Sequence, residues 1–292
     1  MRFFDREQEF EKLREIEELS QEVAQFTIIT GRRRIGKTEL VKQFYARKTL
    51  LYFFVARKAE TDLCDIFIEE IRTKLNIPMI DSKGITFATV FKFIMELSQN
   101  QHITLFIDEF QDFFRVNSSI YSDMQNIWDS YKSTAHIHLI VAGSVNTLMN
   151  KIFKDKKEPL FGRQTGTMHV RPFRPSVLKE IMSEYCPEYK KSDLLALYTL
   201  TGGVAKYVEL FVSIRPTTGI KPLYTTIATV TMNLIVSAAI VLLNPYVTVY
   251  ISYKIPPFAL SVHIPDVSTS IYVEVDSKVL LGLPFCDKAF VR

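Results

Sequence analysis
The sequence predicts an α/β fold of three layers, a central parallel sheet covered by helices on both faces, and three observations carry that prediction. Short apolar, β-branched or aromatic runs recur at residues 26–30 (FTIIT), 50–55 (LLYFFV), 103–107 (ITLFI), 137–142 (IHLIVA) and 167–170 (TMHV), with the length and composition of strands. Helix-period patterns lie between them: Leu63, Phe67, Ile71 and Leu75 are four apart, and Phe91, Ile94, Met95 and Leu97 form a second apolar face. The strand runs are apolar on both faces, as strands buried between two helix layers require.

In chain order, the stretch MRFFDREQEFEKLREIEEL is charged almost from its first residue and lacks the apolar run of a secretory signal. Asp5 with Gln8 has the spacing of a helix cap. The 26–30 run leads into a glycine-framed loop and a helix beginning at Lys37. The remaining four strand runs follow, separated by helical patterns. After them, 175–185, 193–200 and 204–214 read as consecutive helices without a strand between them, which would form a small helical lid. The expected boundaries are an α/β core over 1–170, the lid over 171–214 and an atypical tail over 215–292.

The tail differs in composition. Of 68 Asp, Glu, Lys and Arg residues only 10 lie from Arg215 onward, and 222–253 contains none. Three readings stay open for it: entry into a membrane by 227–243, which is short for a span and carries several polar residues; a small β-rich domain, as the alternation over 270–279 suggests; or a shifted reading frame near codon 214. Pro265 and Asp266 with Asp276, Ser277 and Lys278 superficially match a metal-dependent nuclease pattern, but a polar strand edge accounts for so short a signal. The three cysteines, Cys64, Cys186 and Cys286, have no CxxC pairing, so neither a disulfide framework nor a zinc site is expected and a reducing, cytoplasmic setting fits. A formal net charge of +4 neither argues for nucleic acid nor excludes it. A membrane partner is not expected.

The chemistry concentrates in GRRRIGKTEL, residues 31–40. Gly31, Gly36, Lys37 and Thr38 satisfy G-x-x-x-x-G-K-[ST] directly after a strand and before a helix, the context this pattern needs. Glycines let backbone N–H groups curl around a phosphate, the helix N-terminus adds its positive end, and Lys37 can reach the β and γ phosphates. Thr38 would hold Mg²⁺ through its hydroxyl. Arg32, Arg33 and Arg34, which would repel one another without a nearby anion, would ring a triphosphate, with Ile35 and Glu39 completing the contacting stretch. Seventy residues after Thr38, the 103–107 strand ends in Asp108 and Glu109. Asp108 would orient the Mg²⁺ shell and Glu109 the attacking water. The 137–142 strand ends in Gly143 and Ser144, near Asn146, where a polar group could touch the γ-phosphate or its water. Arg163 follows the basic stretch 151–157 and could supply charge to a transition state, in its own chain or a neighbour's.

FFDREQEFEKL, GRRRIGKTEL, LFIDEFQDF, VAGSVNTLM, PLFGRQTG, VRPF and LTGGVAKYVELF, in this order, resemble the prokaryotic AAA-like ATPases of archaeal type, related to the STAND and origin-recognition branch of P-loop proteins, over about residues 1–213. The resemblance implies a P-loop NTPase fold with Walker A and Walker B motifs, ATP and Mg²⁺ as ligands, and ATP hydrolysis. It places Phe4, Asp5 and Arg6 in an N-terminal box beside the adenine, makes Ser144 the first sensor and Arg163 the arginine that senses the γ-phosphate, and assigns Gly202 and Gly203 to a lid motif near the base. Where relatives usually have proline, this chain has Ala205.

The expected activity is cytoplasmic, Mg²⁺-dependent hydrolysis of ATP coupled to lid movement. Two other readings stand beside it: a nucleotide-gated binding module that hydrolyses almost nothing, and a DNA-associated ATPase. The front section, with 30 basic and 28 acidic residues up to residue 214, gives the last no electrostatic support. A homo-oligomer or a protein partner is also compatible with the sequence.

Overall fold
Side chains alternate along a strand, so a sheet buried on both faces needs two separate cores, and this chain builds them. The computed structural model describes residues 2–77, 84–144 and 146–213, with the backbone of 254–255 and 258–259. Strands β1 (Gln25–Thr30), β2 (Leu51–Phe54), β3 (Ile103–Asp108), β4 (Ile137–Gly143) and β5 (Gly166–His169) form one sheet in the order β2-β3-β4-β1-β5. Every pair is parallel.

One face contributes Phe26, Ile28, Leu51, Phe53, Ile103, Leu105, Ile107, Leu139 and Val141. Helices α3 (Glu60–Leu75), α4 (Phe87–Leu97), α6 (Ile120–Tyr131) and α7 (Asn146–Lys154) cover it with Phe67, Phe91, Trp128 and Phe153 among others; the short α5 (Phe113–Val116) adds Phe113. Phe53 stacks on Phe67 at 4.1 Å and Phe26 meets Trp128 at 5.2 Å. The alternate residues Ile29, Phe106, Ile140 and Ala142 face α1 (Glu7–Ser20) and α2 (Lys37–Phe44), which bury Leu13, Leu40 and Val41 against them. Burying one such large side chain contributes about 1.5–3 kcal/mol. This is the predicted three-layer fold.

Three further helices follow β5: α8 (Pro175–Tyr185), α9 (Lys191–Thr201) and α10 (Ala205–Ser213). The chain divides into two compact units, Met1–Ile181 with Thr201–Ser213, and Met182–Leu200 with Ile214–Arg292. The first holds the sheet, α1 to α7, most of α8 and α10; the second holds α9 and a ladder pairing Lys254–Ile255 antiparallel to Phe258–Ala259. The readings that rest on 222–253, 227–243 and 265–279 lie outside the described residues.

The cap expected at Asp5 and Gln8 does not form. Arg6 takes the N-cap position of α1 at φ 88°, and no side chain caps the helix. The helix starts one residue later than that spacing requires, because Asp5 and Arg6 both take positive φ, 59° and 88°; the Arg6 guanidinium donates to the Arg171 carbonyl at 2.9 Å. Among the described residues, no helix is long and apolar enough to cross a membrane.

Candidate functional site
The strand order places β4 between β1 and β3, so the C-terminal ends of these three strands lie side by side. Thr30 pairs with Gly143 across β1 and β4, and Phe54 pairs with Asp108 across β2 and β3. The 31–38 loop, the Asp108–Glu109 pair and Ser144 therefore share one edge of the sheet, where open α/β folds place their ligand sites.

Steric fit shapes the loop. Gly31 has φ 149°, and a Cβ there would lie 2.6 Å from the Val170 carbonyl oxygen, whose own amide donates to Thr30 O at 2.8 Å. Only glycine lets the chain leave β1 so close to that backbone. Ile35 anchors the loop in the second core at 1% exposure, while Arg32, Arg33, Arg34 and Glu39 are exposed. Lys37 is buried, and its Nζ donates to the Gly31 and Arg32 carbonyls at 3.0 and 3.2 Å. Burial pushes its pKa below the usual lysine value, opposed by the Glu109 and Asp108 carboxylates. The loop is tied to α10 as well: the Lys206 amide donates to Arg34 O at 3.2 Å, and the Arg34 guanidinium lies 5.7 Å from the Tyr207 ring centre.

Opposite the loop, the Thr38 hydroxyl donates to Asp108 Oδ2 at 2.5 Å. Tyr52 donates to the same oxygen at 3.3 Å, and the Glu109 amide to Oδ1 at 2.9 Å. Burial holds the Asp108 carboxyl above its ordinary pKa, partly offset by these hydrogen bonds. The Glu109 carboxylate receives the Ser144 hydroxyl at 2.9 Å and the Gln111 amide at 2.6 Å, both on Oε2. Among the described residues, no cluster of three or more His, Cys, Asp or Glu could hold a metal. Asp108 and Thr38 instead offer one carboxylate and one hydroxyl oxygen, a donor set that suits Mg²⁺ when phosphates and waters supply the remaining positions.

Residues 33–39, Asp108 and Glu109 line a cleft of about 960 Å³ together with Phe3, Phe4, Arg6, Phe173, Lys206 and others. Arg6, nearly fully buried, reaches the cleft from the α1 N-terminus with its guanidinium 5.0 Å from the Phe173 ring centre. Gly203 at φ 70° abuts Phe173, whose carbonyl oxygen would lie 2.3 Å from a Cβ there. The structure thus brings Phe4, Arg6, Arg33, Arg34, Ile35, Gly36, Lys37, Thr38, Glu39, Asp108 and Glu109 onto one cleft, with Gly31 and Ser144 bonded to its members. Arg163 is not among the lining residues. Its Nε and Nη2 bind Asp129 Oδ2 at 3.0 and 2.8 Å, and Nη1 donates to the Pro159 and Phe161 carbonyls.

The model of a family described as an ATPase domain predominantly from Archaea matches residues 3–211. The chain belongs to this family. An uncharacterized protein of Methanocaldococcus jannaschii is 28% identical to this archaeal-type ATPase domain over 207 residues, covering 71% of this chain and 43% of that protein; the match spans less than half of the relative's length. Among solved structures, a Walker-type ATPase of Pyrococcus abyssi is similar with a TM-score of 0.61 at 20% identity, over 84% of this chain and 77% of the other. The Aeropyrum pernix ORC2 protein in its ADPNP–ADP complexes has a TM-score of 0.53 at 17% identity, over 70% and 59%. These likenesses support the P-loop ATPase fold.

Gln111, Tyr52, Phe173 and Lys206 were not singled out from the sequence. Gln111 stands inside the quoted run LFIDEFQDF and Lys206 inside LTGGVAKYVELF, so motif membership was an available signal for both. Phe173 likewise stands inside VRPF, whereas Tyr52 reaches the site only through strand pairing.

Proposed function
We propose that this chain binds ATP in the cleft and hydrolyses its β–γ phosphoanhydride with Mg²⁺. The observation that carries this reading is the Thr38 hydroxyl on Asp108 Oδ2, directly beneath a loop whose lysine bonds only backbone carbonyls. Lys37 would exchange Gly31 and Arg32 for phosphate oxygens, and the loop amides with the α2 N-terminus would bind the remaining anionic charge. Bound Mg²⁺, held by Thr38 and Asp108, would neutralise charge developing on the phosphates. Glu109 would orient a water and accept its proton, with Ser144 steadying the carboxylate.

The base would sit toward Phe4, Arg6 and Phe173, with Gly203 behind it. Because α10 donates directly to the Arg34 carbonyl, a change in loop conformation on turnover would reach α10, the helix through which lid movement would follow. Arg163 enters as a residue acting on a neighbouring subunit's phosphate, since within its own chain it is tied to Asp129. A homo-oligomer, a protein partner or DNA would receive the output.

Phosphate release by the wild type, Lys37→Ala and Glu109→Gln tests the proposal. Both variants should be slowed at least a hundredfold, on the order expected for loss of a general base or of phosphate stabilisation. Equal rates would remove it. A wild type that binds ATP but releases no phosphate would leave the nucleotide-gated module.

A further inference from the structure
Gln111 is 1% exposed, yet only half of its carboxamide is used. Nε2 donates to Glu109 Oε2 at 2.6 Å, while Oε1 has no hydrogen-bond partner. That oxygen lies against Gly143, where a Cβ would come within 2.5 Å of it. A buried acceptor without a partner is costly, and an apolar side chain of similar size would avoid the cost.

The surroundings hold this amide firmly. Gln111 sits in the 3₁₀ turn Phe110–Asp112, and the buried Tyr121 hydroxyl lies 3.2 and 3.4 Å from the Phe110 and Gln111 carbonyls that accept from it. Phe110 packs against Phe113, Tyr121 and Phe153. Glu109, which opens the turn, has φ 52°, a strained conformation for a residue with a Cβ and one that persists only where the surroundings enforce it. The Asp112 amide bonds the Glu109 carbonyl at 2.8 Å and closes the turn.

We propose that Gln111 is a positioning residue for Glu109, a role that rests on the ATPase reading above. Ser144 after β4 and Gln111 after β3 approach Oε2 from two different elements, which fixes the rotation of the carboxylate and leaves Oε1 of Glu109 to face the water. Gln111 is not among the residues that line the cleft, so its contribution belongs to the chemical step and not to ATP binding.

The test uses the full chain with Gln111→Met, Glu109→Gln and the double variant, measuring kcat, the Kd for ATP and the thermal midpoint. Gln111→Met should lower kcat by about tenfold or more, part of the usual range for general-base assistance, leave the ATP Kd within about twofold, and leave the midpoint unchanged or raised because an unpaired acceptor is removed. Added to Glu109→Gln, it should slow turnover no further. Gln111→Leu serves where Gln111→Met does not fold. A wild-type kcat in Gln111→Met, an equal loss in the Glu109→Gln background, or a kcat loss matched by a fall in the midpoint would overturn the assignment. If the wild type itself releases no phosphate, the ATPase reading fails and this one with it; if only Glu109→Gln is inactive, this inference alone fails.

Discussion

His138 lies near the N-terminal end of β4, fully buried between the Thr27 hydroxyl at 2.9 Å from Nε2 and the Tyr45 hydroxyl at 2.8 Å from Nδ1. Burial, with a smaller contribution from His102, pushes its pKa from 6.5 down to about 3. The imidazole is therefore neutral in the folded chain and takes up a proton near pH 6.5 only when the chain unfolds. The unfolded state binds more protons throughout the window between those values, so stability falls as pH falls through 6.5. Each unit well inside the window costs about 1.4 kcal/mol, and from pH 7.5 to 5.0 the loss is about 2 kcal/mol. That size does not depend on where below pH 4 the folded value lies. Replacing the residue by His138→Gln removes this titration and keeps a donor and an acceptor. Urea unfolding of both proteins at pH 7.5 and 5.0 should show the wild type losing about 2 kcal/mol more than the variant over that interval. Parallel losses would mean that His138 is protonated within the fold, and the reasoning from its burial would be wrong.

Gly203→Ala should destabilise the chain by about 2–3 kcal/mol, combining the left-handed backbone cost with loss of the Phe173 amide bond to Gly203 O; an unchanged thermal midpoint would contradict the close approach to Phe173. Under the proposed action of Arg163 on a neighbouring subunit, mixing Arg163→Ala with Lys37→Ala should restore part of the phosphate release that neither variant shows alone, because the Lys37→Ala chain would supply the arginine that the Arg163→Ala chain lacks. No rescue at any protein concentration would confine Arg163 to its bonds with Asp129.

The parts of this molecule that were legible in sequence depend on local pattern. The five strand runs, the glycine-lysine loop and the paired acids each signal themselves within ten residues, and β1 and β3 lie where apolar runs end in those motifs. β3 and β4 extend one residue beyond the apolar runs, to Asp108 and Gly143, because the ladder continues through polar or glycine positions that composition reads as loop. Pattern could not place Tyr52 on Asp108, since that contact follows from the β2–β3 register. Nor could it find the Arg6 guanidinium crossing to Arg171, a contact 165 residues away in the chain, or the positive φ of Asp5 and Arg6 that displaces the expected cap. Gln111 shows the same limit: two residues from Glu109 in sequence, its amide reaches the carboxylate only because Glu109 adopts a positive φ.

Isothermal titration of ATP with Mg²⁺ into the wild type and Lys37→Ala reads the central claim without requiring turnover. Saturable binding of one ATP per chain in the wild type, weakened at least tenfold when Lys37 is truncated, is the predicted result. A folded wild type that takes up no ATP, or two proteins with the same Kd, would contradict it.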